Sequence, residues 1–182
     1  PLAGEAAAPS VAAATREAVE ALTAFWSSIE QSRVRDQTAL RAVLRFVAGE
    51  PGDGIARPVP LIEGTGGALP FVEHALDVAR LATLVARVAG GPDRSIDVLV
   101  AEAAVCADIG MLAVPLDLLE RPEQLDQDEF RTIRSHTTLG ARWLLSTPGV
   151  PDLAGVVAFE HHVRPHGRGY PQVPETWSVH PV

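Results

Sequence analysis

The sequence contains no lysine and no asparagine, and only one cysteine, one methionine and one tyrosine. Without lysine there is no Schiff-base former and no ammonium clamp for phosphate, so all fifteen fixed cations are arginines. Arginine in place of lysine, beside abundant alanine and valine, reads as codon bias of a GC-rich genome. The lone Cys106 excludes an internal disulfide. No apolar run approaches the ~20 residues that span a bilayer, and no charged-then-apolar leader is visible. A cytoplasmic protein without a membrane partner is therefore expected. Twenty-three acidic residues give a formal charge of −8. That field repels nucleic-acid polymers and anionic membranes, while leaving room for a small anion held by a local cation.

The 182 residues suit one domain with a substantial core. The chain opens at Pro1 without methionine and stops at Val182, which reads as a segment of something longer. Residues 1–10, rich in Ala and Pro, are expected to be loose. Apolar spacing at Val19, Leu22, Phe25 or Trp26 and Ile29 predicts an amphipathic helix over about Val11–Glu30, a face that a second copy could share in a homodimer. A second helix is expected over about Asp36–Val47, then a Gly- and Pro-dense loop over 49–70. The third, about Val72–Ala89, is given an inner face of Ala75, Val78, Ala79, Ala82 and Val85. Ser95 caps a fourth, Ile96 to about Asp108, apolar nearly all round and hence central. A short turn of helix is expected over Leu116–Leu119. Asp126 and Glu129 form a capping-box pattern opening a fifth helix to about Leu145, with Phe130, Ile133, Gly140 and Leu144 inward. A sixth runs from about Asp152 to His162. The expectation is an all-α domain of about six helices, with no strand and no internal repeat.

Four features carry chemistry. Asp108 ends the most apolar helix, where a buried carboxylate needs a partner; a backbone N–H or an arginine would suffice. His136 falls on the inner stripe of the fifth helix and His74 on the third, where core packing alone would account for either. His161 and His162 are adjacent at the end of the sixth helix, so they converge only on something at that end. Together these residues come from four helices, and carboxylate plus several imidazoles suits Fe, Mn, Zn or Ni. The fourth feature is the loop Arg164-Pro165-His166-Gly167-Arg168-Gly169-Tyr170-Pro171, whose glycines permit close backbone approach; a plain surface turn is the other reading.

From about residue 11 to the end, these motifs resemble the HD-GYP family, all-helical metal-dependent bacterial phosphodiesterases that hydrolyse cyclic di-GMP. The family's first ligand histidine matches His74. Its His-Asp-Ile-Gly-Lys signature matches Ala107-Asp108-Ile109-Gly110-Met111. Val114-Pro115, Arg121-Pro122, Leu125 and Glu129 echo the stretch that follows. His136 with Gly140, the pair His161-His162, and Gly169-Tyr170-Pro171 match the later motifs in order. The resemblance divides the chain into N-terminal helices over 11–48 and a metal-site core over 72–171, with the family's last helices missing.

The departures touch catalysis. Ala107 stands where the signature histidine is expected and Met111 where the lysine is expected. Val163 and His166 occupy positions that are acidic in the family, and a late aspartate ligand would lie beyond this chain. By family roles, one metal keeps Asp108, His136, His161 and His162, while the other retains only His74 and the bridging Asp108. The resemblance thus implies a divalent metal, one ion rather than two, or none. Gly167, Arg168, Gly169, Tyr170 and Pro171 form the ligand or partner loop, and Asp108 is the catalytic candidate. Partners implied are a cyclic dinucleotide and a diguanylate cyclase-type or other signalling domain. The first functional reading is a catalytically impaired regulatory module that binds a ligand or partner. A working cyclic di-GMP phosphodiesterase is the alternative, and a structural signalling domain with packing histidines is a third.

Overall fold

The computed structural model describes residues 11–49, 70–90, 95–120, 123–164 and 169–180. The expected loose residues 1–10, the loop over 50–69, Arg121-Pro122 and the loop residues 165–168 lie outside the described residues. Eight α-helices are described: α1 (Val11–Ser32), α2 (Gln37–Ala48), α3 (Pro70–Gly90), α4 (Ser95–Cys106), α5 (Leu116–Glu120), α6 (Gln127–Arg134), α7 (His136–Leu145) and α8 (Asp152–Glu160). A 3₁₀ turn, Ile109–Ala113, follows α4. No strand occurs among the described residues, so the domain is all-α as expected.

The α1–α2 hairpin forms where the sequence places it. Asp36 caps α2 by accepting from the backbone N–H groups of Thr38 and Ala39. Val19, Leu22, Phe25, Trp26 and Ile29 are all buried, Phe25 and Trp26 both completely. Each such side chain contributes about 1.5–3 kcal/mol by leaving water. That face is spent inside the chain, so two copies pairing through α1 would need a different one. Helix α4 is the central strut, packing on α2, α3 and α8, while α7 packs on α8 and on the 3₁₀ turn.

Several expectations are corrected. Only the C-terminal half of α4 is central: Ala103 to Ala107 are buried, whereas Ile96, Val98 and Leu99 are exposed. On α3 the buried stripe is Val72, Ala75, Leu76, Ala79 and Thr83, and Val85 is 66% exposed. The helix carries apolar residues on two faces, and spacing alone does not choose between them. Phe130 is likewise exposed, with the Arg134 guanidinium over its ring at 4.2 Å.

The expected fifth helix is two helices that meet at Ser135. The capping box opens α6 as expected, Asp126 accepting from the Glu129 N–H and Glu129 from the Asp126 N–H. At the junction the hydroxyls of Ser135, Thr137 and Thr138 donate to the carbonyls of Thr132, Arg134 and Ser135. Such back-bonding competes with the helical ladder, which is interrupted at Ser135. The sixth helix ends at Glu160, with His161 as its cap.

Candidate metal centre

Asp108 lies just past α4, which stops at Cys106, and opens the 3₁₀ turn with φ −98° and ψ 11°. The Ala107 N–H donates to the Ala104 carbonyl, tightening the last turn, and the Met111 N–H takes the Asp108 carbonyl. His136 is the first residue of α7, beyond the Ser135 break, and is buried. Gly110 makes their meeting possible. A Cβ there would sit 2.0 Å from the His136 carbonyl oxygen, so only glycine lets the 3₁₀ turn approach α7 this closely.

His161 and His162 emerge from the end of α8. The loop beyond is tied to them: the Tyr170 N–H donates to the His162 carbonyl at 3.1 Å. At Gly169 a Cβ would lie 2.0 Å from that same oxygen. Tyr170 then stacks on the His162 ring, centroids 4.4 Å apart. The Arg134 guanidinium lies over the Tyr170 ring, 5.2 Å from its centroid.

Asp108, His136, His161 and His162 each offer a ligand atom, and these atoms lie within 4.8 Å of one another. The His136 and His161 Nε2 atoms are 3.2 Å apart, and each is 3.4 Å from Asp108 Oδ1. Their Nδ1 atoms fix the tautomers. His136 Nδ1 lies 2.7 Å from the Ile133 carbonyl, and His161 Nδ1 lies 3.0 Å from that of Ala158. A carbonyl only accepts, so each Nδ1 carries the proton and the neutral ring directs the Nε2 lone pair inward. When both rings are neutral, two lone pairs and a carboxylate oxygen face one another. A cation resolves the repulsion, and the separations suit one: a tetrahedron with bonds of about 2.0–2.1 Å has edges of about 3.3 Å. The donor set fits a divalent ion, and the two carbonyls are the outer partners that orient such ligands.

The electrostatics agree. Burial pushes His136 below its ordinary value, and burial with the neighbouring His161 and His136 pushes His162 down to about 4. Both are therefore neutral, ligand-ready imidazoles at pH 7. Burial works to raise the Asp108 carboxyl, but the hydrogen bond and charge that His161 supplies when it carries a second proton, with the charges of His136 and His74, hold it below its ordinary value. Burial, then the Asp108 charge, pushes the Tyr170 phenol up.

His74 stands apart. It is exposed on α3 and is not among the four converging donors, though it shares their cavities. One cavity, about 470 Å³, runs between His74, Ala107, Asp108 and the α8 end. A second, about 390 Å³, is lined by Met111, Asp108, His136 and Tyr170 among others. Of the expected loop, Gly169, Tyr170 and Pro171 adjoin the cluster, while Gly167 and Arg168 lie outside the described residues.

Sequence reasoning missed the support of α8. Buried Glu160 accepts from Trp177 Nε1 at 2.7 Å and from the His180 N–H at 2.8 Å, strapping the tail across the helix. Its signal was present, a carboxylate closing an apolar helix directly before the histidine pair. The partly exposed Arg35 pairs with the buried Glu102 at 2.8 Å, equally unremarked in the sequence.

An all-α bundle gathering three imidazoles and a carboxylate at the ends of three segments defines a class of metal-binding helical domain. Comparison with known proteins is more specific. The family model described as HD domain matches residues 69–177, more than half of the chain. A cyclic di-GMP phosphodiesterase of Pseudomonas aeruginosa is 39% identical over 101 residues, covering 54% of this chain and 23% of that protein. A cyclic di-GMP phosphodiesterase response regulator of Xanthomonas campestris is 27% identical over 146 residues, covering 79% of this chain and 38% of that protein. A cyclic di-GMP phosphodiesterase of Thermotoga maritima is 39% identical over 72 residues, covering 38% of this chain and 19% of that protein. The chain thus spans less than two fifths of the length of these relatives. No solved structure gives a significant match. The chain belongs to the HD domain family, in its HD-GYP type.

Proposed function

We propose that this chain is an HD-GYP domain of cyclic di-GMP signalling that holds one divalent ion, drawn from Fe, Mn, Zn or Ni, on Asp108, His136, His161 and His162. Its turnover is strongly impaired, and it acts as a regulatory module that binds a cyclic dinucleotide or a partner signalling domain in the cytoplasm. No described helix is long and apolar enough to cross a membrane, in keeping with that location. The observation that carries the reading is the unequal set of groups around Asp108: three imidazoles converge on it, while Ala107 offers only a methyl group and His74 stays outside the converging set.

A bound divalent ion would polarise a phosphoryl oxygen and acidify a water, and a pair of ions about 3.5–4 Å apart would clamp both ends of an in-line displacement. The chain's own residues do the rest. Asp108 supplies the negative charge that draws a cation between the two Nε2 lone pairs. His136 and His161, fixed by backbone carbonyls, hold their rings without reorganisation. Tyr170, stacked on His162 with the Arg134 guanidinium over its ring, forms part of the cavity rim. With Ala107 and Met111 in the cavity walls, those two positions offer a phosphate neither an imidazole nor an ammonium.

The test is equilibrium binding and turnover of cyclic di-GMP by the metal-loaded protein. Binding without turnover is expected; hydrolysis at the rate of intact relatives would overturn impairment. That second outcome is the alternative reading, an active phosphodiesterase, favoured by the completeness of the four-donor set. It would require Asp108→Ala to abolish turnover while the helical fold persists. Protein that takes up no metal, and melts identically in chelator, would leave only a structural domain with packing histidines.

A further inference from the structure

Trp26 lies on α1, outside the 69–177 span of the family match, yet its one polar atom reaches the helix that delivers Asp108. Trp26 is completely buried, and its Nε1–H donates to the Val105 carbonyl at 2.9 Å across 79 residues of sequence. Val105 sits in the last turn of α4, where carbonyls lose their i+4 donors because the helix stops. An indole N–H bonded there satisfies a buried oxygen that would otherwise be orphaned. It also fixes where α4 ends, and Asp108 is three residues further on. On the same helix Arg35, from the α1–α2 connection, holds Glu102 at 2.8 Å and donates to the Gly149 carbonyl before α8. The N-terminal hairpin is therefore bonded both to the end of α4 and to the entry of the helix that carries His161 and His162.

We infer that Trp26 is a positioning residue for Asp108, and that α1 is a lever through which displacement of the N-terminal hairpin changes metal affinity. This rests on the metal reading above. The indole bond holds the α4 terminus in the short, tightened form that aims Asp108 Oδ1 at His136 and His161. Without it, the Val105 carbonyl seeks another donor by letting α4 lengthen or fray, and the carboxylate leaves the position it shares with the two Nε2 atoms.

The experiment uses Co²⁺ as probe, read by its visible ligand-field spectrum, with wild type, Trp26→Phe and Phe25→Leu. Phe25 is equally buried on α1 but has no polar atom, so its variant reports loss of packing alone. Trp26→Phe keeps an aromatic ring and removes the N–H; it is expected to weaken Co²⁺ binding about tenfold, as loss of an orienting partner does, and to alter the spectrum. Phe25→Leu is expected to retain the wild-type spectrum and an affinity within about threefold at matched stability. Wild-type spectrum and affinity in Trp26→Phe, or equal losses in both variants, would overturn the inference. Absence of Co²⁺ binding by wild type would instead overturn the metal reading itself. If Trp26→Phe does not fold, the Trp26 indole proton in wild type replaces it: its NMR resonance is expected to shift when Zn²⁺ is added, because coupling is reciprocal. An unmoved resonance in Zn²⁺-loaded protein would contradict the inference.

Discussion

Asp108 has two unequal sets of neighbours in its cleft. In one, His136, His161 and His162 converge on it from helix ends, with the His136 and His161 rings held at Nδ1 by backbone carbonyls. In the other, His74 is exposed on α3 and outside the converging set, and Ala107 lines a cavity wall without a donor. The difference teaches that a ligand residue is only as good as the backbone behind it. The converging imidazoles have a helix break at Ser135, a glycine contact at Gly110 and a tail strap on Glu160 behind them. His74 has no such backbone acceptor among the described residues.

The comparison can be broken most severely at its pivot. Asp108→Ala removes the only anion in the cluster, and metal affinity is expected to fall by more than about 100-fold in a Co²⁺ titration. Next comes the packing beneath it. Gly110→Ala drives a Cβ against the His136 carbonyl, which backbone must accommodate. A loss of about 1–3 kcal/mol is expected from denaturant unfolding, with weaker metal binding in proportion to the displacement of His136. A wild-type midpoint in Gly110→Ala would show that the turn is not in close contact with α7.

The weaker set can be rebuilt. Ala107→His places an imidazole in the wall of the 470 Å³ cavity beside His74 and Asp108. Metal content is expected to rise above one equivalent per chain by elemental analysis, and unchanged content would mean that His74 is too far away to share an ion. Acid exposes the same asymmetry. The ordinary histidine value is 6.5 and His162 is pushed down to about 4, so between them the unfolded chain takes up a proton that the fold refuses. Stability of the apoprotein is therefore expected to fall as pH drops from 6.5 towards 4. His162→Gln should flatten that slope in thermal melts; an unaltered slope would assign the effect elsewhere. The smallest effect is expected at His74→Ala, where affinity for the first ion should change by less than about threefold.

Much of this was legible in the residues. The α1 stripe, the Asp126 capping box and the order of the aspartate and histidines all speak through local pattern. What spacing could not supply was choice among faces and the positions of breaks. Val85 fits the α3 period as well as Leu76 does, and only packing on α4 excludes it. The period through Ile133 and Gly140 continues smoothly across Ser135, so the break before His136 is invisible until the hydroxyl back-bonds are seen. Long-range polar contacts such as Trp26 to Val105 leave no local trace, because each partner obeys the helical pattern on its own.

The most direct test of the asymmetric centre is metal content per chain, measured on wild type and Asp108→Ala purified without chelator. One equivalent in wild type and none in Asp108→Ala is the expected result. Two equivalents in wild type, or an ion retained after Asp108 is removed, would contradict it.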